Sequence, residues 1–145
     1  MPNALKIISK SEDETTEIGI KIGSELQGSE VIRLIGPLGS GKSVIARGIA
    51  KGLGITGPVR SPSFNLMREY RGRLILRHWD LYRLESGFES LGILESSGND
   101  TVEIVEWAER WPLLEKYSTG SIFLDYGEAE TDRIIIIEGL LINGE

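Results

Sequence analysis

Val31-Ile32-Arg33-Leu34-Ile35-Gly36-Pro37-Leu38-Gly39-Ser40-Gly41-Lys42-Ser43 is the stretch on which the reading of this chain turns. Val31 to Ile35 is a short apolar, β-branched run ended by Gly36, which predicts a buried strand. From Lys42 onward Ile45, Ile49 and Leu53 recur at helical spacing until Gly54, which predicts an amphipathic helix and its stop. Strand, glycine-rich loop and helix therefore follow one another without a gap. Glycines 36, 39 and 41 let the backbone approach a ligand without a side chain in the way. The N–H groups of such a loop form an anion nest at the positive end of the helix, suited to a pyrophosphate tail. Gly39, Ser40, Gly41, Lys42, Ser43 and Val44 make the cradle; the Lys42 ammonium is spaced to reach β- and γ-phosphates, and the Ser43 hydroxyl to ligate magnesium. Multiplying the chain's own Gly, Lys and Ser/Thr frequencies gives about a 1% chance of one such match, taking composition as the prior. The strand-before, helix-after context lowers that further.

Working outward, Ser11-Glu12-Asp13-Glu14 carries an N-cap residue with Glu at the capping-box position. Ile18, Ile22 and Leu26 then predict a helix ending near Gln27-Gly28. Residues 55–65 contain Gly57, Pro58 and Pro62 and read as a loop. Further apolar runs at 74–76, 101–105, 121–124 and 133–137 predict strands, with helices expected over 88–96 and, interrupted by Pro112, over 107–116. Strands alternating with helices predict an α/β fold with a mostly parallel central sheet. The short link between the last two runs predicts an antiparallel C-terminal pair. One P-loop domain spanning 1–145 is the expected organisation.

Length, charge and composition narrow the function. The chain has 145 residues, a net charge of -6 and no cysteine, so disulfides are excluded. No apolar run approaches the roughly 18 residues of a membrane span, and the first residues lack a signal-peptide pattern. A cytoplasmic protein without a membrane partner is expected. The acidic balance disfavours a surface that wraps nucleic acid, which needs clustered Lys and Arg. The basic residues that do cluster are Arg60, Arg68, Arg71, Arg73, Arg77 and Arg83. They read as surface arginines, with a docking patch for an acidic partner or an RNA left open. Contact with tRNA is expected to be indirect only.

Hydrolysis needs an acid on the metal and a group that places the attacking water. Two carboxylates stand just past predicted strands, where open α/β sheets bind ligands. They are Asp80 in Leu74-Ile75-Leu76-Arg77-His78-Trp79-Asp80 and Glu106 in Val102-Glu103-Ile104-Val105-Glu106. His78, the one histidine, reads as a packed, hydrogen-bonded residue. Trp79, Trp107 and Trp111 read as core or interface residues. Ser61-Pro62-Ser63-Phe64 is either a proline turn or a switch-like segment sensing a γ-phosphate.

Gly36 to Ser43, Ser61-Pro62-Ser63-Phe64, His78-Trp79-Asp80-Leu81-Tyr82-Arg83-Leu84 and Glu106-Trp107-Ala108-Glu109-Arg110 together resemble the TsaE family, in order and spacing. Ser11 to Gly19 looks like that family's N-terminal signature, so the resemblance runs from about Ser11 to Arg133. It implies a small ATPase using ATP and Mg2+ within the machinery that makes threonylcarbamoyladenosine in tRNA. The implied partners are the threonylcarbamoyl transferase and its paralogous partner subunit. Carried over by position, the resemblance implies a catalytic set of Lys42, Glu106 and Asp80, and metal contacts from Ser43 and Glu106. It also implies a nucleotide contact from Ser63, and contacts to the nucleotide's outer parts from Ser11 and Arg133. Pro37 stands where the family often has Asp, and Ser63 where it often has Thr.

Two other functions stay open on residues alone. A small kinase would need a basic lid, and residues 85–100 contain no Arg or Lys. A non-hydrolysing switch would use ATP only to order a loop. No motif separates ATP from GTP.

Overall fold

The computed structural model describes residues 4–59, 66–95 and 98–142. The chain runs β1 (Ala4–Ser9), α1 (Glu12–Glu25), β2 (Val31–Ile35), α2 (Lys42–Gly52), β3 (Met67–Arg71), β4 (Ile75–Asp80), β5 (Thr101–Glu106), β6 (Gly120–Tyr126) and β7 (Arg133–Glu138). The strands form one seven-stranded sheet in the order β1-β7-β6-β2-β5-β4-β3. Its centre is parallel, β2 pairing with β5 and β6, and β4 with β5. Its margins are antiparallel: β1 with β7, β6 with β7, and β3 with β4. This is the α/β architecture that the strand and helix spacing predicts, with the antiparallel C-terminal pair in place. The parallel strands β2, β4, β5 and β6 therefore end on one side of the sheet, which is where the glycine-rich loop begins.

Two side-chain layers sandwich the sheet. Ile32 and Leu34 of β2 and Val102 and Ile104 of β5 are buried in a cluster with Ile18 and Ile22 of α1 and Ile45 and Ile49 of α2. Each fully buried Ile or Leu contributes about 1.5–3 kcal/mol relative to an exposed one. The opposite cluster holds Val31, Trp79, Phe88, Ile93, Val105, Trp111 and Leu114. Trp79 and Trp111, each 6% exposed, are core residues as expected.

The two helices approach until their backbones touch. A Cβ on Gly48 of α2 would lie 2.4 Å from the Thr16 carbonyl oxygen, and one on Gly19 of α1 only 2.5 Å from that of Ile45. Gly23 and Gly52 repeat the contact one turn on. Each glycine costs about 1 kcal/mol against alanine in a helix interior, and the close approach offsets this by drawing both helices onto the sheet.

Four features differ from the sequence reading. β1 is a strand because Leu5 and Ile7 turn inward while Lys6 faces out; its apolar stretch is short and interrupted by Lys6, too little to signal it. β3 (Met-Arg-Glu-Tyr-Arg) is mostly charged and half-exposed, an edge strand fixed by its antiparallel partner β4. The helix expected over 88–96 is only a 3-10 turn, Phe88–Leu91, because Gly87 and Gly92 on either side adopt φ of 79° and 77°. The helix expected over 107–116 is two 3-10 segments, Ala108–Arg110 and Pro112–Tyr117. Trp111 between them has φ -126° and ψ 79°, the extended bias a following proline imposes.

The basic run lies mostly at the surface, as expected: Arg71, Arg73 and Arg83 are exposed and Arg68 and Arg77 half-buried. Arg73 donates to the carbonyls of Leu26 at 2.8 Å and Gly23 at 2.9 Å, capping the C-terminus of α1. Arg71 and Arg77 ion-pair with Glu69, and Arg77 also approaches Glu103 at 3.8 Å. Arg60 lies outside the described residues.

Glu103, fully buried in β5, accepts a 2.7 Å hydrogen bond from the Trp79 indole. Burial raises its pKa above the ordinary 4.5, against the pull of the Trp79 hydrogen bond and the Arg77 charge. A carboxyl that holds its proton more tightly when folded loses stability as pH rises above the unfolded value. Glu103→Gln keeps an acceptor for Trp79 and removes the ionisation. Its stability relative to wild type should therefore grow as pH is raised from about 4 towards neutrality, read by urea denaturation at several pH values. A difference that does not change with pH would contradict this.

Candidate functional site

The loop after β2 folds around its own carbonyls. Gly39 and Gly41 adopt φ of 77° and 106°, left-handed backbone that a β-carbon strains. A Cβ on Gly36 would lie 2.5 Å from the Leu124 carbonyl oxygen, so this glycine lets the loop lie against β6. Ser40 is fully buried and its N–H donates to the Pro37 carbonyl at 3.2 Å. Its side chain turns into the loop, away from the cleft that opens above.

That cleft, of about 770 Å3, is lined by Ser11, Gly39, Gly41, Lys42, Ser43, Val44, Asp80, Glu106 and Arg133 among others. The structure thus brings together every sequence-predicted site residue except Ser40, which underlies the cleft, and Ser63. Ser63 and the rest of Ser61-Pro62-Ser63-Phe64 lie outside the described residues. Asp80 and Glu106 stand opposite one another in the β4–β5 register, both at strand ends and both buried.

Each charged group has a defined partner. Lys42 Nζ donates to the Gly36 carbonyl at 2.7 Å and lies 3.6 Å from the centre of the Trp107 ring. Burial pushes its pKa below the usual lysine value, and the carboxylates of Glu106, Glu109 and Asp80 offset part of that. Asp80 Oδ1 accepts from the Tyr82 N–H at 2.9 Å. Burial raises the Asp80 pKa; the Tyr82 N–H opposes this, Glu106 adds to it, and His78 and Lys42 oppose it. Glu106 Oε2 lies 2.5 Å from His78 Nε2, with both residues buried. Ser11 caps α1, its hydroxyl accepting from the Glu14 N–H at 3.1 Å. Arg133 donates to the carbonyls of Glu130, Asp132 and Gly39, tying the start of β7 to the loop.

Trp107 packs against the second core, as expected, and has a second place that sequence reasoning missed. It is half-buried and lines the cleft over Lys42, with the Tyr82 ring centre 4.9 Å from its own. Its φ of 57° is left-handed, an uncommon conformation for a bulky residue. The signal available in the sequence is its place directly after Glu106 at a strand end. Thr131 and Glu130, in the β6–β7 connection, also line the cleft and carry no motif.

Residues 9–135 match the model of the family described as "Threonylcarbamoyl adenosine biosynthesis protein TsaE". This chain belongs to the TsaE family. A Nostoc relative named tRNA threonylcarbamoyladenosine biosynthesis protein TsaE is 40% identical over 131 residues, covering 85% of this chain and 79% of that protein. A Treponema pallidum protein of the same name is 38% identical over 108 residues, covering 73% of this chain and 80% of its own length. The crystal structure of Bacillus subtilis YdiB matches with a TM-score of 0.76 at 30% identity, over 95% of this chain and 86% of that one. Membership explains why the resemblance extends past the phosphate loop to the segments carrying Asp80 and Glu106. Among the described residues, no helix of this TsaE family member is long and apolar enough to cross a membrane.

Proposed function

We propose that the cleft binds ATP with magnesium and hydrolyses it in support of a multiprotein complex that makes threonylcarbamoyladenosine in tRNA. The observation that carries this reading is the convergence of Lys42, Ser43, Asp80 and Glu106 on one cleft at the ends of parallel strands. The residues fit the group. Gly39 and Gly41 leave the loop open to phosphate oxygens, and Lys42 supplies the positive charge beside them. Ser43 and Glu106 would hold the metal. Among the described residues no three His, Asp or Glu form a protein-only metal cage, which suits a magnesium bound through few protein groups and substrate phosphates. When bound, magnesium supplies Lewis-acid neutralisation of phosphate charge.

The chain's own groups divide the remaining work. Lys42 leaves the Gly36 carbonyl to meet phosphate oxygens, regaining the charge stabilisation that burial removes. Glu106 orients the attacking water through the oxygen not engaged by His78. Asp80, turned by the Tyr82 N–H, holds a second carboxylate beside it. A kinase reading is disfavoured because Phe88 and Ile93 anchor the expected lid segment in the second core.

The partner complex completes the site in this proposal. Among the described residues, four carboxylates (Glu12, Asp80, Glu106, Glu130) line the cleft against three cations (Lys42, Arg83, Arg133), a poor balance for a highly anionic transition state. Supplying a missing cation in trans is worth a factor on the order of a thousand or more. Phosphate release should be slow for the protein alone, unchanged by tRNA, and strongly stimulated by the threonylcarbamoyl transferase with its paralogous subunit. Full activity alone, or stimulation by tRNA alone, would overturn this reading.

A further inference from the structure

We infer that His78 is a positioning residue that fixes Glu106 with a single oxygen presented to the cleft. The inference rests on the catalytic role proposed for Glu106 but stands on geometry of its own. His78 and Asp80 are two residues apart on β4, so both side chains leave the same face of the sheet. His78 pairs with Ile104 and Asp80 with Glu106 in the β4–β5 register. From there the imidazole reaches forward along the strands, and Nε2 meets Glu106 Oε2 at 2.5 Å.

The two ring nitrogens are not equivalent. Nδ1 is buried and has no hydrogen-bond partner among the described residues. A proton there would face no acceptor, whereas a proton on Nε2 faces a carboxylate oxygen. The ring is thereby set as the Nε2–H tautomer, donating to Glu106. With Oε2 engaged, Glu106 offers Oε1 to the cleft that it lines. Rotation of the carboxylate would leave a buried N–H without its acceptor, at a cost of about 1–3 kcal/mol. The histidine thus restricts Glu106 to one-oxygen use, the arrangement an outer-shell histidine or carboxylate commonly imposes on a metal-site ligand.

His78 is the sole histidine in the chain, so its ring nitrogens can be read without ambiguity. Long-range nitrogen–proton correlation spectra of the nucleotide-free protein should show Nε2 protonated and Nδ1 bare. Glu106→Ala should shift the Nε2 signal and remove that preference. This arm reads the contact itself, independent of turnover, so it stands even if the protein proves not to hydrolyse ATP. An Nδ1–H tautomer, or spectra unmoved by Glu106→Ala, would overturn the inference. The functional arm uses His78→Ala and His78→Gln, each checked for folding by its melting temperature. His78→Ala should slow phosphate release by about 10–100-fold with nucleotide affinity little changed. His78→Gln, which restores an N–H near the Nε2 position, should recover most of the loss. Equal loss of affinity and rate in His78→Ala, or no recovery in a folded His78→Gln, would mean that the imidazole only fills space.

Discussion

Lys42→Ala is expected to lower the affinity for magnesium-nucleotide by about a hundredfold or more, since charge-assisted hydrogen bonds contribute about 1.5–3 kcal/mol each and the lysine supplies more than one. The same substitution should barely disturb the fold. In the nucleotide-free protein Lys42 is 5% exposed, its pKa is lowered by burial, and its ammonium donates to the Gly36 carbonyl. Losing that bond costs about 1 kcal/mol, and removing a charge that burial disfavours gives some of it back. Affinity and stability are therefore expected to separate. Calorimetric titration with ADP and magnesium reads the first, and thermal unfolding without nucleotide reads the second. Unchanged affinity would remove Lys42 from the site, and a collapse in melting temperature would make it a structural lysine.

The fold is legible in the sequence wherever the local pattern and the tertiary environment agree. β2 carries apolar residues on both faces because helices cover one and Val31 and Ile35 pack into the opposite layer, so an apolar run broken only by the half-buried Arg33 is what its burial requires. α1 and α2 show their stripes because one face of each meets the sheet. β3 is not legible, since an edge strand with three charges in five residues gains its order from β4 and not from its own composition. The helix–helix contact is equally hidden. Gly19, Gly23, Gly48 and Gly52 read singly as weak helix positions, and only the pairing of the two helices gives them a purpose. At the candidate site the cradle and both carboxylates are legible because motif spacing and strand ends locate them. Trp107 is not, because what places its ring over Lys42 is a left-handed backbone that tryptophan rarely adopts. His78 is legible as a packed residue, but its partner Glu106 lies 28 positions away in sequence, a distance that only strand pairing closes.

Glu106 carries the second large effect. Its carboxylate lines the cleft, is held by His78, and faces Asp80 across the β4–β5 register. If it places the water, removing its charge should slow hydrolysis by about a hundredfold or more and leave nucleotide binding within roughly tenfold of wild type, because the phosphates are held chiefly by the loop and Lys42. Alanine and glutamine make different perturbations. Glu106→Ala leaves the buried Nε2–H of His78 without an acceptor, which adds a stability cost of about 1–3 kcal/mol. Glu106→Gln keeps a carbonyl oxygen for His78 and removes only the carboxylate's charge and basicity, so it is the cleaner variant.

The decisive measurement is single-turnover phosphate release by Glu106→Gln, made in the presence of the partner proteins and alongside its equilibrium affinity for ATP and magnesium. Affinity within about tenfold of wild type with release slowed about a hundredfold is the predicted result. Release within about threefold of wild type, or affinity and rate falling together, would contradict a site in which Glu106 performs the chemistry and the glycine-rich loop does the holding.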